Sequence, residues 1–312
     1  MSLDLIDVRR ENEISVALDD ELWEVYIKPT KNSATKYKVE GKIWSLKSKG
    51  KYQAIGYNSW VELYFNKQQL VGESCNYWVT ALEFWGSAGL FFAASSEVIQ
   101  LFDHRNRDPE VCSFKSPGTV APTGVKLQGS TLACSGIGYN EIGSINLWDI
   151  RYSGQRSLWN LKQNAVYCMD FCPLERQLLA TGGEEGINVW DTVSGTMKVT
   201  ISMPDADVTS LLWSPFRKEI LFSNKNFLSL ASFSSNEGHV FAKWNHSKNH
   251  NAINAYDEIM SLQSLQNGKV ISIDVDGMLC EHYAFLDHGQ SSIRPSKNTQ
   301  SLMNPKLSSV IR

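Results

Sequence analysis

Two histidines four residues apart, His246 and His250 in "HSKNH", have a spacing that on a helix would chelate a divalent metal. They stand among Asn, Ser and Lys with no third ligand nearby, so the expectation is a solvated loop between strands. "SIDVDG" at 272–277 places Ser272, Asp274, Asp276 and Gly277 at the offsets of a calcium loop. The twelfth position, where calcium needs a bidentate Glu, is Tyr283. A hairpin turn at Asp276-Gly277 is the better account. "TGGEEG" lacks the Lys-Ser/Thr ending of a phosphate loop and precedes a strand, and no Gly-x-Ser-x-Gly elbow is present. No cofactor, metal or catalytic residue is assigned, and the chain is read as a non-enzyme.

Two stretches carry chemistry of another kind. "WDIR" at 148–151 ends in Arg151, where the parallel "WDTV" at 190–193 ends in Val193. Arg151 is therefore a solvent-side candidate for a partner contact. Residues 31–51 hold Lys31, Lys36, Lys38, Lys42, Lys47, Lys49 and Lys51 against one acid, Glu40, with Tyr37, Trp44 and Tyr52 interleaved or flanking. Such a run suits an acidic protein partner, or single-stranded nucleic acid through phosphate contacts and stacking. It also suits a plain solvated face, since edge lysines block unwanted strand pairing. Lys42, Lys47 and Lys49 are the candidate contacts. With a net charge of −3, no global field favours nucleic acid or a membrane surface.

The elements that hold these residues repeat. Trp148 and Trp190 are 42 residues apart, and Asp149 and Asp191, Val166 and Val208, and Pro173 and Pro215 share that offset. A period of this length points to a β-propeller with four strands per blade. The clearest unit is 163–202. "AVYCMDFCP" alternates and stops at Pro173, "QLLATGG" is apolar throughout, "EEG" turns at Gly186, "INVWD" is a third strand and "TMKVTIS" an outer one. The same grammar recurs in 41–73, 77–115, 120–161, 206–245 and 251–286, and the first forty residues supply one more blade or part of one. The prediction is all-β: a seven-bladed WD40-type propeller over residues 1–292, closed by an N-terminal strand beside the last blade. A flexible basic tail follows over 293–312, with Arg294, Lys297, Lys306 and Arg312 and no acid. Trp148, Asp149, Trp190 and Asp191 are structural positions: the aromatics fill space between blades, and the acids satisfy backbone donors in the following turn.

Composition agrees with this. The 312 residues are 42% hydrophobic and 20% charged, which is ample for a large core. "MSLDLIDVRRENE" has early acids and no apolar signal region, and no run of about 18 apolar residues occurs. A soluble chain is expected, without membrane insertion. The six cysteines have no framework spacing. Cys168 and Cys172, on one strand, would lie about 13 Å apart at ~3.3 Å per residue, too far for a disulfide. Reduced thiols of a nuclear or cytosolic protein are expected.

With its Trp-Asp strand ends, the pattern resembles the WD-repeat family over about residues 20–290. The family's Gly-His pair is absent, and Glu185 stands where its turn Asp is usual. The resemblance therefore implies an incomplete His–Ser/Thr–Asp–Trp network. "VTALEFWGSAGLFFAASSEVIQLFDHR", "QLLATGGEEGINVWDTVSGTM" and "SLQSLQNGKVISIDVDGMLCEHYAF" are similar to blades of the small, forty-three-kilodalton-type WD-repeat nucleoporins of the Y-shaped outer-ring complex. That similarity implies a scaffold docking on larger proteins of a multi-subunit complex. It also implies residence at the nuclear envelope and pore with a cytoplasmic pool, and roles in pore assembly, mRNA and protein transport, and at kinetochores. Two other readings stay open. "WDIR" is similar to the Trp-Asp-x-Arg element through which cullin-4 ubiquitin-ligase substrate receptors contact their adaptor, and the early blade is also similar to methylosome-type scaffolds.

Overall fold

The computed structural model describes residues 6–10, 13–26, 33–75, 77–86, 89–116, 118–138, 142–152, 156–203, 207–225, 227–233, 237–245, 259–265, 268–274, 279–285 and 300–301. These residues form 28 strands and no α-helix.

The first sheet is β1 (Ile6–Arg10), β2 (Glu13–Leu18), β3 (Glu21–Tyr26) and β4 (Ser33–Lys38). The second is β5 (Ser45–Lys49), β6 (Tyr52–Gly56), β7 (Trp60–Phe65) and β8 (Gln68–Ser74). The third is β9 (Val79–Trp85), β10 (Leu90–Ser95), β11 (Val98–Asp103) and β12 (Glu110–Lys115). The fourth is β13 (Ala121–Gln128), β14 (Thr131–Ile137), β15 (Ile142–Asp149) and β16 (Trp159–Asn164). The fifth is β17 (Val166–Phe171), β18 (Leu178–Gly183), β19 (Gly186–Asp191) and β20 (Thr196–Ser202). The sixth is β21 (Val208–Trp213), β22 (Glu219–Asn224), β23 (Phe227–Phe233) and β24 (Gly238–Asn245). The seventh is β25 (Ile259–Ser264), β26 (Lys269–Asp274), β27 (Leu279–Tyr283) and β28 (Gln300–Ser301).

Each sheet has its four strands in chain order, as successive hairpins require. These are the seven blades of a WD40-type propeller, the architecture expected from the 42-residue offset. One expectation is corrected. The first sheet uses four strands of its own, and the fourth strand of the seventh is Gln300–Ser301 paired with Cys280 and Glu281. No N-terminal strand enters the last sheet among the described residues. The rest of the 293–312 segment lies outside them.

Side-chain chemistry sorts the strands. Second strands such as β10 ("LFFAAS"), β14 and β18 are buried along nearly their whole length, and in β10 the two faces enter separate apolar clusters. Outer strands are polar: β4 is exposed throughout, and β20 alternates in its second half. Turns fit their residues. Asn66 and Lys67 both take positive φ between β7 and β8, as a type I′ hairpin demands. Gly186 opens β19 at φ +116, and a Cβ there would stand 2.0 Å from the Ile201 carbonyl oxygen. Only glycine fits.

The described residues up to Tyr167 form one compact unit and those from Cys168 a second. In the first, Leu63, Phe84, Phe91 and Phe102 pack in one cluster, and Phe92, Phe114, Leu132 and Trp148 in the next. In the second, Ile187, Val199, Leu211 and Trp213 form one cluster, and Leu221, Leu228, Ile259 and Phe285 another. A hydrogen bond repeats on the inner strands. Ser45 Oγ donates to the Val79 carbonyl at 2.7 Å, Thr80 Oγ1 to Pro122 at 2.7 Å, and Thr123 Oγ1 to Val166 at 2.8 Å. In the second unit Cys168 Sγ donates to Val208 at 3.4 Å and Thr209 Oγ1 to Ile259 at 2.9 Å. Each is a side chain near the start of an inner strand reaching a carbonyl of the next inner strand.

Candidate functional site

The third strand of each sheet runs parallel to the first, so its last residue stands at the end where the first strand finishes. At that end of β15, Asp149 accepts from the backbone N–H of Arg151 at 3.0 Å. It also takes the Arg151 guanidinium in a fork, Nε to Oδ1 at 2.9 Å and Nη2 to Oδ2 at 2.5 Å. That hydrogen-bonded guanidinium holds the Asp149 carboxyl down at about 2. The Arg151 side chain is 68% exposed, and its guanidinium carbon lies 5.9 Å from the centre of the Tyr152 ring. Tyr152, Leu158 and Trp159 are exposed beside it at the same end of the sheet. Leu158 is placed by its N–H bond to the Leu147 carbonyl at 2.7 Å, and Trp159 by pairing with Leu147. Arginine, tyrosine and tryptophan are the residue types that concentrate binding energy in protein interfaces.

The sequence reading missed a counterpart. At the end of β11, Asp103 holds Arg105 in the same way, by the backbone N–H at 3.1 Å, Nε at 2.8 Å and Nη2 at 2.7 Å. The Arg105 hydrogen bond brings Asp103 to about 2 as well. The signal was available, since Phe102-Asp103-His104-Arg105 repeats the Asp-x-Arg spacing with Phe in place of Trp. The third such position differs. Asp191 accepts from the N–H groups of Val193 and Ser194 at 2.9 and 3.2 Å and pairs with Lys198 at 3.4 Å. Burial pushes its carboxyl up, but those three partners leave it below the usual aspartate range.

The lysine run is largely matched by acids of the first sheet. Lys36 pairs with Glu21, Lys38 with Asp20 at 3.1 Å, and Lys42 with Asp19 at 3.6 Å. Lys47 is turned inward against Asp7 at 3.7 Å, with its side chain 15% exposed, which takes it away from the surface. Lys49 is exposed, and Lys31 lies outside the described residues. Lys36, Lys38, Lys42 and Lys47 of the run thus each stand beside an acid. Lys42 also belongs to an aromatic group at the opposite strand end from Arg151. Its ammonium sits 5.0 Å from the centre of the Trp44 ring, and Trp44 stacks on Trp78 at 4.9 Å and 3°. Trp78 and Tyr77 are exposed.

Asp274 and Ser272 of the calcium-like stretch are buried on β26, and Ser272 hydrogen-bonds His282 at 2.6 Å. Asp276, Gly277, His246 and His250 lie outside the described residues. Among the described residues no three His, Cys, Asp or Glu side chains gather as metal ligands. All six cysteines are free thiols. No helix of the described residues is long and apolar enough to cross a membrane.

No protein-family profile matches the chain. Three relatives are similar in sequence. WD repeat-containing protein slp1 of Schizosaccharomyces pombe is 35% identical over 97 residues, 29% of this chain and 20% of that protein. Cell division cycle 20.1, cofactor of APC complex, of Arabidopsis thaliana is 27% identical over 259 residues, 75% of this chain and 54% of that protein. Nucleoporin Nup43 of Homo sapiens is 31% identical over 90 residues, 27% of this chain and 24% of that protein. The chain thus spans about half or less of the relatives it matches. In fold it is similar to a chain of the crystal structure of the mitotic checkpoint complex, with a TM-score of 0.76 at 22% identity, covering 91% of this chain and 87% of that one. The chain is a WD40-type seven-bladed β-propeller, and WD-repeat proteins are its homologues.

Proposed function

We propose that the chain is a non-catalytic docking subunit of a multi-protein assembly, of the kind found in the outer ring of the nuclear pore. The observation that carries it is the surface at the end of β15. An arginine locked in place by Asp149 stands beside exposed Tyr152, Leu158 and Trp159, so the side chains are oriented before a partner arrives. The similarity to Nup43 over 90 residues supports the assembly. Residence at the nuclear envelope follows from the same reading.

A second reading is an activator of the APC complex. The 259-residue alignment to a protein named as a cofactor of that complex favours it. One experiment separates the readings. The full chain is tagged in its own cells, and stoichiometric partners are identified by mass spectrometry. Large outer-ring nucleoporins support the first reading, and APC subunits replace it with the second. Recovery of a cullin-4 adaptor, lost in Arg151→Ala, assigns the Trp148-Asp149-Ile150-Arg151 element to a ligase receptor instead. Recovery of no stoichiometric partner overturns all three.

A further inference from the structure

In the second compact unit, a cleft of about 300 Å³ opens between the fifth and sixth sheets. Its apolar wall is Leu178, Val189, Val199, Trp213 and Phe233. The Trp213 ring is fixed from two sides. Its Nε1 donates to the Asp170 carbonyl at 3.0 Å, and Phe233 tilts against it at 5.5 Å. The wall is thus shaped in advance.

Two ion pairs form the rim, Asp191 with Lys198 and Glu175 with Lys218. They are not symmetric toward solvent. The acids are turned in, with side chains 17% and 33% exposed, and Asp191 is further occupied by two backbone N–H groups. The ammonium groups face out, at 46% and 51%. The cleft therefore presents an apolar floor beneath two outward cations carried by separate sheets. Leu174 and Val193, in the turns that carry Glu175 and Asp191, are exposed, so apolar side chains flank the rim. A small anion would leave those side chains uncovered, whereas an extended chain would cover them.

We propose that this cleft is a docking site for a short extended peptide segment of a partner protein, in which an apolar side chain enters the cleft and flanking Asp or Glu carboxylates meet Lys198 and Lys218. The assignment rests on the chain being a docking subunit, and it names the chemistry of one partner segment.

The test is fluorescence anisotropy on the full chain. The probe is a fluorescein-labelled peptide alternating Asp with Leu and Phe, compared with the same peptide carrying Lys for Asp. Saturable binding of the acidic peptide alone is expected. A double Lys198→Gln, Lys218→Gln variant should weaken it at least ~tenfold, and added salt should weaken it further. Val193→Asp, on the exposed turn after Asp191, should weaken it without touching the buried wall, and circular dichroism checks that both variants fold. Equal binding of the two peptides, no saturable binding, or binding unchanged in the double variant overturns the proposal. Failure here with stable partners still recovered from cells refutes the cleft alone, and peptide binding without any recovered assembly refutes the docking-subunit reading alone.

Discussion

Trp190 donates its indole N–H to Thr181 Oγ1 at 2.9 Å, a buried hydrogen bond between β19 and β18. The same place in the other sheets is filled differently. Leu179 pairs with Trp190 as Leu132 pairs with Trp148, which sets Cys134 where Thr181 stands. The indole nitrogen of Trp148 is buried with no acceptor among the described residues. In the third sheet the pair is Phe91 with Phe102, and Ala93 stands two residues on. Phenylalanine needs no acceptor, and alanine offers none. The aromatic and its polar partner thus vary together in two sheets and fall out of step in one.

Thr181→Val is expected to destabilise the chain by about 1–3 kcal/mol, because it strands a buried donor. Cys134→Thr should do the reverse, adding about 0.5–1.5 kcal/mol by giving Trp148 an acceptor. Urea denaturation of the two variants checks both signs. A Cys134→Thr variant less stable than the parent would show that the site has no room for the hydroxyl.

The inner-strand links give a second stability prediction. Thr80 is buried, and its hydroxyl satisfies the Pro122 carbonyl at 2.7 Å. Thr80→Val removes the donor while keeping the shape, and should cost about 1–3 kcal/mol. Thr80→Ser keeps the donor and should cost less than half of that. Equal losses in the two variants would mean that packing of the γ-methyl, not the hydrogen bond, holds the position.

How much of this was legible in the sequence depends on what each residue depends on. The sheets were legible because Trp148 and Trp190, and the apolar runs of β10 and β18, obey local rules of period and burial. The first sheet was half seen, since β1 is only five residues long and the exposed β4 has no apolar alternation to mark it. The inner-strand links were invisible. Ser45, Thr80, Thr123, Cys168 and Thr209 make one kind of bond with three residue types at varying positions within their strands. The ion pairs of the lysine run were not legible, because the acids beside it (Asp7, Asp19, Asp20 and Glu21) lie earlier in the chain and meet it only in the fold. Phe102-Asp103 reads in the sequence as the counterpart of Trp148-Asp149, yet Arg105 was missed because only the residues after Asp149 and Asp191 were compared.

Thiol chemistry offers a direct check of burial. Cys112 is exposed, and the other five cysteines are buried. Burial pushes Cys75 and Cys134 each up to about 12, so their thiolates are scarce at neutral pH. Native protein treated with an aromatic disulfide reagent at pH 8 should release one equivalent quickly, from Cys112, and six in denaturant. Cys112→Ser should abolish the fast equivalent. Fast reaction of two or more thiols in the native chain would contradict the packing of the sheets.

The last prediction separates docking from folding at Arg151. The Asp149 carboxyl is held at about 2 in the folded chain, against an ordinary aspartate value of about 3.9. A folded value below the unfolded one means that the carboxylate stabilises the fold above about pH 4, and that this contribution is lost as pH falls toward 2. The pair is open to solvent, so salt screens it, and its share of stability at neutral pH is small. Arg151→Ala should therefore raise the Asp149 value toward the ordinary one in a carboxyl NMR titration while leaving Asp103, with its own Arg105, unchanged. Denaturation at pH 7 should stay close to that of the parent chain. Capture of partners from cells should fall at least ~tenfold, because an exposed arginine fixed beside Tyr152 acts through what it touches outside the chain. Arg151→Lys keeps the charge without the two-pronged fork, so the Asp149 value should rise only part of the way and capture should still fall. Undiminished capture by both variants would remove Arg151 from the docking surface, whatever its effect on Asp149.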